Sequence, residues 1–465
     1  MKKIKFKLTI IFISLCFNLN AQENLDSLLK MAAKNNPSLK SKFYKYQADL
    51  QKAPQVGSLA DPDLTIGYYI EPMELVSGKQ RAQIQFMQMF PWFGTLKAAK
   101  DEASAMALSS FELFRTEKEE IFYNVRINYF QLFLTNKQIK IYDTTMVLLK
   151  SIEELLLSKI KSVNSSSTNP TSSGGTTLKN NTGQNSGGMG MSGGNQQSNQ
   201  QSNSSMNSSS MSAGSSSSFS DLLRLQVEIK ELDDNIATLK DRKNRLTIQL
   251  NELLNRNPSN EIFLPDSLSI PLFDFYNPAL FDSIKVNNPM IKMNKADILA
   301  YQKRQLMNKK MSYPMIGLGL SYSIIDKSDM STSPMNGQDM IMPMLTVKLP
   351  IYRKKYNASV KEAAILEMSA SEQLKNSENM LYATYSENIF ALKDAERKLK
   401  LYKDIISLTQ KSIDVLIVQY ASSGAEFDSL IRLYKQLLDY KLNIMQAQTD
   451  KISSIAGLQK LISKN

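Results

Sequence analysis

The stretch Pro314-Met315-Ile316-Gly317-Leu318-Gly319-Leu320-Ser321-Tyr322-Ser323-Ile324-Ile325 decides the fold. Ile316, Leu318, Leu320, Tyr322 and Ile324 alternate with Gly317, Gly319, Ser321 and Ser323, which is period-two patterning with one greasy face and one small or polar face. Downstream, Ile341, Leu345, Val347 and Leu349 alternate with Met342, Met344, Thr346 and Lys348. The pattern also occurs upstream: Leu64, Ile66, Tyr68 and Ile70 stand against Asp63, Thr65, Gly67 and Tyr69. Its partner run has Ile84, Phe86 and Phe90 on one face, with Gln88 breaking the pattern. Strands are therefore expected at about 61–70, 82–91, 314–325 and 340–350. Each is about ten residues long, which suits a tilted strand crossing a bilayer. A small soluble hairpin with one face on a core would alternate in the same way, so the surroundings must decide. Polar loops (Glu71 to Arg81; Asp326 to Asp339) join the strands of each pair. Phe90, Trp92, Phe93 and Tyr352 gather at the opposite end, where a membrane interface favours aromatic rings. Both observations favour the membrane reading.

The two strand pairs belong to a tandem duplication. Asn35-Asn36-Pro37-Ser38-Leu39-Lys40 is matched by Asn287-Asn288-Pro289-Met290-Ile291-Lys292. Met89-Phe90-Pro91-Trp92-Phe93 is matched by Lys348-Leu349-Pro350-Ile351-Tyr352, and Ser220-Asp221-Leu222-Leu223-Arg224-Leu225 by Asp428-Ser429-Leu430-Ile431-Arg432-Leu433. The pairs occur in the same order, at a period of roughly 200–250 residues, too long for a solenoid. The first repeat is expected over 22–258 and the second over 259–465, together forming one integrated channel domain. The connection between them is Arg256 to Asn277, with Pro258, Pro265 and Pro271.

After each strand pair the period changes to that of a coiled-coil seam. Leu392, Leu399, Ile406, Ile413 and Tyr420 recur every seven residues. Leu222, Leu225, Ile229, Leu232, Ile236, Leu239, Leu246, Leu250 and Leu253 follow a three–four spacing, with Lys243 interrupting. Long helices are expected over Thr95 to Lys161 and Lys354 to Tyr420, each about 100 Å at 1.5 Å per residue. Leu25 to Val56 and Asp221 to Asn255 are expected to be shorter helices that together line one long helix. Residues 162–218, almost entirely Ser, Asn, Gly, Gln, Thr and Met, lack the apolar area to offset ordering and are expected to be a disordered insertion at a helical-hairpin tip.

Lys2, Lys3, Lys5 and Lys7, then the apolar run Leu8 to Phe17, then Ala21 read as a signal peptide over residues 1–21. It contains the single cysteine, Cys16, so a processed chain would hold no thiol. Processing would leave a net charge of about +8, spread along helices without interleaved aromatics, which argues against nucleic acid as a partner. There is no histidine, so the commonest general base and zinc ligand are missing. No acid–base pair, nucleophile set or phosphate loop emerges; neither enzymatic activity nor a cofactor is expected.

The Asn36-Pro37 and Asn288-Pro289 helix starts, the Phe90-Pro91-Trp92-Phe93-Gly94 corner, the Asp221-Leu222-Leu223-Arg224-Leu225-Gln226 helix and the closing Leu250-Asn251-Glu252-Leu253-Leu254 resemble the TolC-type outer-membrane efflux channels. No single motif is specific; the ordered set carries the likeness, over nearly the whole mature chain. The resemblance implies an α+β membrane protein that forms a homotrimer. Its 12-stranded transmembrane β-barrel would continue into a long periplasmic α-helical coiled-coil barrel. It also implies an outer-membrane location in a Gram-negative cell and passive export. A periplasmic adaptor and an inner-membrane efflux pump would be its partners. On that reading Asp221, Asp414 and Asp428 are candidate acids at the periplasmic tip and gate. Independently, four strands leave two open edges and need other copies to close in lipid. The competing reading is a periplasmic coiled-coil adaptor or scaffold without a pore.

The chain has 24 methionines. Strand phase places Met315, Met342 and Met344 on the small or polar face, and Met87 and Met89 with them if Phe86 and Phe90 face lipid. Met189, Met191, Met206 and Met211 punctuate the insertion. Thioethers are soft ligands suited to Cu(I) and, by the same softness, Ag(I). Met315, Met342 and Met344 are thus candidate transient metal contacts, and copper, silver or another heavy metal is the specific substrate suggested, with drugs, bile-type amphiphiles and secreted peptides as the competing classes. Methionine as flexible apolar filler is the competing account.

Overall fold

The computed structural model describes residues 25–165, 213–265, 276, 279–423 and 427–463. The expected signal peptide and residues 166–212 of the tip insertion lie outside the described residues. The described chain runs α1 (Leu25–Asn35), α2 (Pro37–Gly57), β1 (Asp63–Leu75), β2 (Gly78–Phe90), α3 (Thr95–Ser165), α4 (Ala213–Leu253), α5 (Leu280–Asn287), α6 (Pro289–Lys310), β3 (Met315–Asp326), β4 (Met340–Lys348), α7 (Arg353–Ser423) and α8 (Phe427–Ile462). The order helix–helix–strand–strand–helix–helix thus occurs twice. Two compact units emerge, and each takes segments from both repeats: one comprises 1–137, 241–403 and 443–465, the other 138–240 and 404–442.

The first unit holds a four-stranded antiparallel sheet in the order β1-β2-β3-β4. Extended alternation supplies one face to each environment, and the register keeps the faces aligned: Leu64, Phe86, Leu320 and Pro343 share one rung. Strands β1 and β2 run on to Leu75 and Gly78 and meet in a two-residue turn, with a register shift between Tyr68 and Met73. The polar loop expected over Glu71 to Arg81 is therefore mostly paired strand. Its Glu, Lys and Arg side chains resemble loop composition, but main-chain pairing does not require apolar residues. Gly78, at φ +124°, occupies a conformation open chiefly to glycine.

The expected helix Leu25 to Val56 is likewise two helices. Pro37 cannot donate an amide and disfavours helical geometry at the residue before it, so Asn36 leaves the helix at φ −59°, ψ 124°. Its Oδ1 accepts from the Leu39 amide at 3.2 Å, and its Nδ2 donates to the Leu253 carbonyl at 2.9 Å. Asn288 repeats the device: Oδ1 accepts from Met290 at 3.0 Å and Nδ2 donates to the Leu461 carbonyl at 3.1 Å. Both asparagines are buried. Each thus caps the second helix of a repeat and ties it to the end of that repeat's last helix.

Two apolar clusters sit beside these ties. In the first repeat Leu28, Leu29 and Ala32 of α1 pack with Ile121, Val125, Tyr129 and Leu132 of α3 and Leu246 and Leu250 of α4. In the second, Ile284 and Ile291 pack with Leu381 and Leu392 of α7 and Ile455, Leu458 and Leu461 of α8. Asn251 closes the first repeat from within: its amide donates to Pro258 and Asn260 carbonyls at 2.9 and 2.8 Å. Asn255 then ends the segment at φ 50°, a left-handed conformation that asparagine tolerates.

The second unit is helical. Met146, Leu149 and Leu156 of α3, Leu222, Leu225, Leu232 and Ile236 of α4, and Phe427 and Leu438 of α8 form its main cluster. Ile413 of α7 with Leu430 and Leu437 of α8 forms another. Of the seam read from the sequence, Leu222, Leu225, Leu232, Ile236 and Ile413 are buried in this unit, while Ile229, Leu239 and Ile406 are half-buried. Helices α3 and α4 extend to Ser165 and from Ala213, beyond the limits expected for the insertion.

Candidate functional site

One face of the sheet is apolar and bare. Leu64, Ile66, Tyr68, Phe86, Leu318, Leu320, Ile341, Leu345 and Val347 are all exposed. A face this large is uncommon on a monomeric protein surrounded by water and marks contact with another apolar phase. Gln88 is its polar exception, opposite Leu318. Its amide donates to the Ala60 and Met89 carbonyls at 2.8 and 3.1 Å, which satisfies the group locally.

The opposite face is small and polar. Its rungs run Gly67–Gln83–Ser323–Met340, Thr65–Gln85–Ser321–Met342 and Asp63–Met87–Gly319–Met344, followed by Met89–Gly317–Thr346. Gln83 donates to Ser321 at 2.8 Å. Of the candidate metal contacts, Met342 and Met344 stand two residues apart on β4, whereas Met315 pairs with Lys348 at the far end. An ammonium group there disfavours a bound cation. Among the described residues no group of three or more His, Cys, Asp or Glu is placed to hold a metal ion.

At the Lys348 end, Trp92 of the expected interface aromatics meets a further ring. Trp92 stacks on Tyr313 at 5.4 Å between centroids, and Phe93 meets Trp92 edge-on at 6.0 Å. Phe93 and Tyr352 are largely exposed, while Phe90 and Trp92 are about one-third exposed. Tyr313, just before Pro314, carries no periodic signal and was not legible as part of the set. At the other end, the β3–β4 connection is ordered by Asn336, which receives the Ser328 amide at 2.9 Å, and by Ser328, which donates to Glu74 at 2.8 Å.

The three candidate tip acids all lie in the second unit but do not converge. Asp428, at the start of α8, receives Arg224 of α4 at 2.5 Å and Arg432 at 2.6 Å. It therefore bridges the return helices of the two repeats. About two turns along α8, Lys435 meets both oxygens of Glu228 at 3.0 Å, and Glu231 at 3.5 Å. The Glu228 hydrogen bond holds the Lys435 ammonium above its ordinary pKa. Asp414 accepts from Gln410 at 3.1 Å on its own helix. Burial, then the Asp414 charge, raises the Tyr434 hydroxyl. Asp221 lies half-buried at the start of the described seam. The basic partners Arg224, Arg432 and Lys435 were missed because lysine and arginine are scattered along every helix.

No family model matches this sequence, and no curated protein matches it. Solved structures do. A membrane protein of Pseudomonas aeruginosa superposes with a TM-score of 0.69 at 13% identity, covering 94% of this chain and 93% of that one. The outer membrane protein VceC of Vibrio cholerae gives 0.68 at 11% identity, over 95% and 96%. CusC, whose structures concern folding and transmembrane channel formation, gives 0.68 at 12% identity, over 96% and 92%. Identities this low speak to architecture, and the coverage is nearly end to end. Among the described residues no helix is long and apolar enough to cross a membrane. The fold of this chain is that of the TolC-type outer-membrane channels.

Proposed function

We propose that the protein is the outer-membrane channel of a tripartite export system. It would be a passive conduit fed by a periplasmic adaptor and an inner-membrane pump. The observation that carries this reading is the sheet: four strands, two open edges and one exposed apolar face. In lipid each unpaired edge group costs several kcal/mol, so β1 of one copy must pair with β4 of another. Three copies give twelve strands and a bore wide enough to pass solute. The near full-length likeness to channel structures supports the same reading.

Within that assembly Asp428, Arg224 and Arg432 form a charged link at the periplasmic tip, with Asp221 less than a turn before Arg224 on α4 and Asp414 on α7. Phe90, Trp92, Phe93 and Tyr352 sit at the periplasmic membrane interface. Met315, Met342 and Met344 face the bore, and a soft metal ion such as Cu(I) or Ag(I) is the substrate their chemistry suits. Two measurements test the channel reading. Sedimentation in detergent should give a trimer, and the purified protein in a planar bilayer should conduct ions. A stable folded monomer without conductance would support the pore-free scaffold instead.

A further inference from the structure

The methionines of the sheet are segregated by face. Over the regularly paired segments, Met87, Met89, Met315, Met340, Met342 and Met344 all lie on the small, polar face. The apolar face uses Leu, Ile, Val, Phe, Tyr and Pro, with Gln88 and Ala82, and not one methionine. Use as flexible apolar filler gives no reason for this segregation by face.

The register sharpens the observation. Four consecutive rungs of the polar face each carry a thioether: Met89 beside Gly317, Met87 and Met344 flanking Gly319, Met342 beside Ser321, and Met340 beside Ser323. Alternate residues on a strand are about 6.8 Å apart, within reach of two long flexible side chains. The two glycines leave room for them. A Cβ on Gly317 would stand 2.5 Å from the Met89 sulfur and 3.2 Å from that of Met87. A Cβ on Gly319 would stand 2.8 Å from Met87 Cε and 3.1 Å from its sulfur. Met87 and Met89 therefore lie down in a trough lacking side chains, and Met344 borders that trough from β4.

We propose that Met89, Met87, Met344, Met342 and Met340 form a continuous file of thioether ligands along the inward wall, which passes a soft monovalent cation, Cu(I) or Ag(I), by ligand exchange. The file rests on the channel reading and changes its metal contacts: Met315 drops out, and Met87, Met89 and Met340 enter. The entry point is the Gly317–Gly319 trough, where the sulfurs of Met87 and Met89 lie over one glycine and Met344 borders them from β4. Beyond it the single thioethers of Met342 and Met340 bind more weakly, which favours release toward the outer mouth. No oxidation is involved; the ion exchanges one sulfur for the next with its charge unchanged.

The test is Ag(I) titration of the detergent-solubilised Cys16→Ser protein, which holds no thiol, by calorimetry and by X-ray absorption at the silver edge. The wild type should bind silver with sulfur scatterers only. Met87→Leu/Met89→Leu/Met344→Leu keeps volume and apolarity. It should weaken the tightest silver binding at least tenfold, and Met315→Leu should leave it unchanged. Met344→Leu alone, at the border of the trough, should reduce it severalfold if the triple variant does not fold. Silver binding in the triple variant, or in Met344→Leu where the triple does not fold, that equals the wild type would overturn the file. Conductance in the same preparations separates the two failures: conducting variants with unaltered silver binding defeat the file only, whereas a non-conducting wild type defeats the channel.

Discussion

The two repeats solve one problem identically and another differently. At the seat, Asn36 and Asn288 make the same pair of hydrogen bonds, one to the helix they start and one to the helix that ends their own repeat. At the outer end the copies diverge: β1 and β2 meet in a two-residue turn, while β3 and β4 are joined by a loop with its own hydrogen-bond network. The buried polar contacts of the seams differ as well. The second repeat places a neutral pair there, Asn294 donating to Ser377 at 2.8 Å. The first instead holds two half-buried ionisable groups, Glu119 and Arg126, seven residues apart on α3. The tie recurs in both copies because one asparagine serves a helix start and a distant carbonyl at once; loop and seam chemistry vary because each has local alternatives.

The sharpest way to break this comparison is to remove the ties. Asn36→Ala and Asn288→Ala each leave a buried carbonyl and a helix start without partners, at a cost of about 1–3 kcal/mol. The two sites share no contact, so the double variant should lose about the sum. Denaturant unfolding of the solubilised protein reads this directly. A loss confined to one copy would show that the matching geometry hides unequal energetics.

A smaller effect separates the seams by pH. Burial raises the Glu119 carboxyl above its ordinary pKa, against the opposing charges of Lys118 and Arg126. Ionising it therefore costs more in the fold than in the unfolded chain. Its contribution is intact below the ordinary carboxylate range and is lost as pH rises through the folded pKa. Glu119→Gln should accordingly raise the melting temperature at pH 8 and leave it unchanged at pH 4. Asn294→Ala in the second repeat should be destabilising to the same degree at both. A Glu119→Gln gain independent of pH would assign the effect to packing.

The smallest effect concerns the charged tip. Arg224 and Asp428 are exposed, so Arg224→Ala should cost only about 0.2–1 kcal/mol of stability. Its larger consequence should be functional, because the bridge joins return helices from both repeats: resting conductance in a bilayer should rise. Unchanged conductance would make the pair an ordinary surface contact.

Much of this architecture was legible beforehand because periodicity reports which face is buried. Ile316 to Ile324 announced both faces of β3, and Leu222 to Leu253 announced the seam. What stayed hidden was local hydrogen bonding between distant segments. Asn36 and Asn288 read as helix starts, and nothing in their neighbourhood names Leu253 or Leu461 as partners. The β1–β2 turn was misplaced for the converse reason, since polar composition says nothing about main-chain pairing. The methionine set was half visible: strand phase gave the face, but only register shows that Met315 ends beside Lys348 while Met87 and Met89 lie over glycine.

The ties have a consequence for how such a chain is organised genetically. Each asparagine binds the start of a repeat to that repeat's own end, so each half already contains both sides of its closure. A polypeptide cut between residues 264 and 280 would still offer each fragment its own clasp. The peptide connection between the halves then acts as a counting device, delivering the two unlike panels in equal number from a single message.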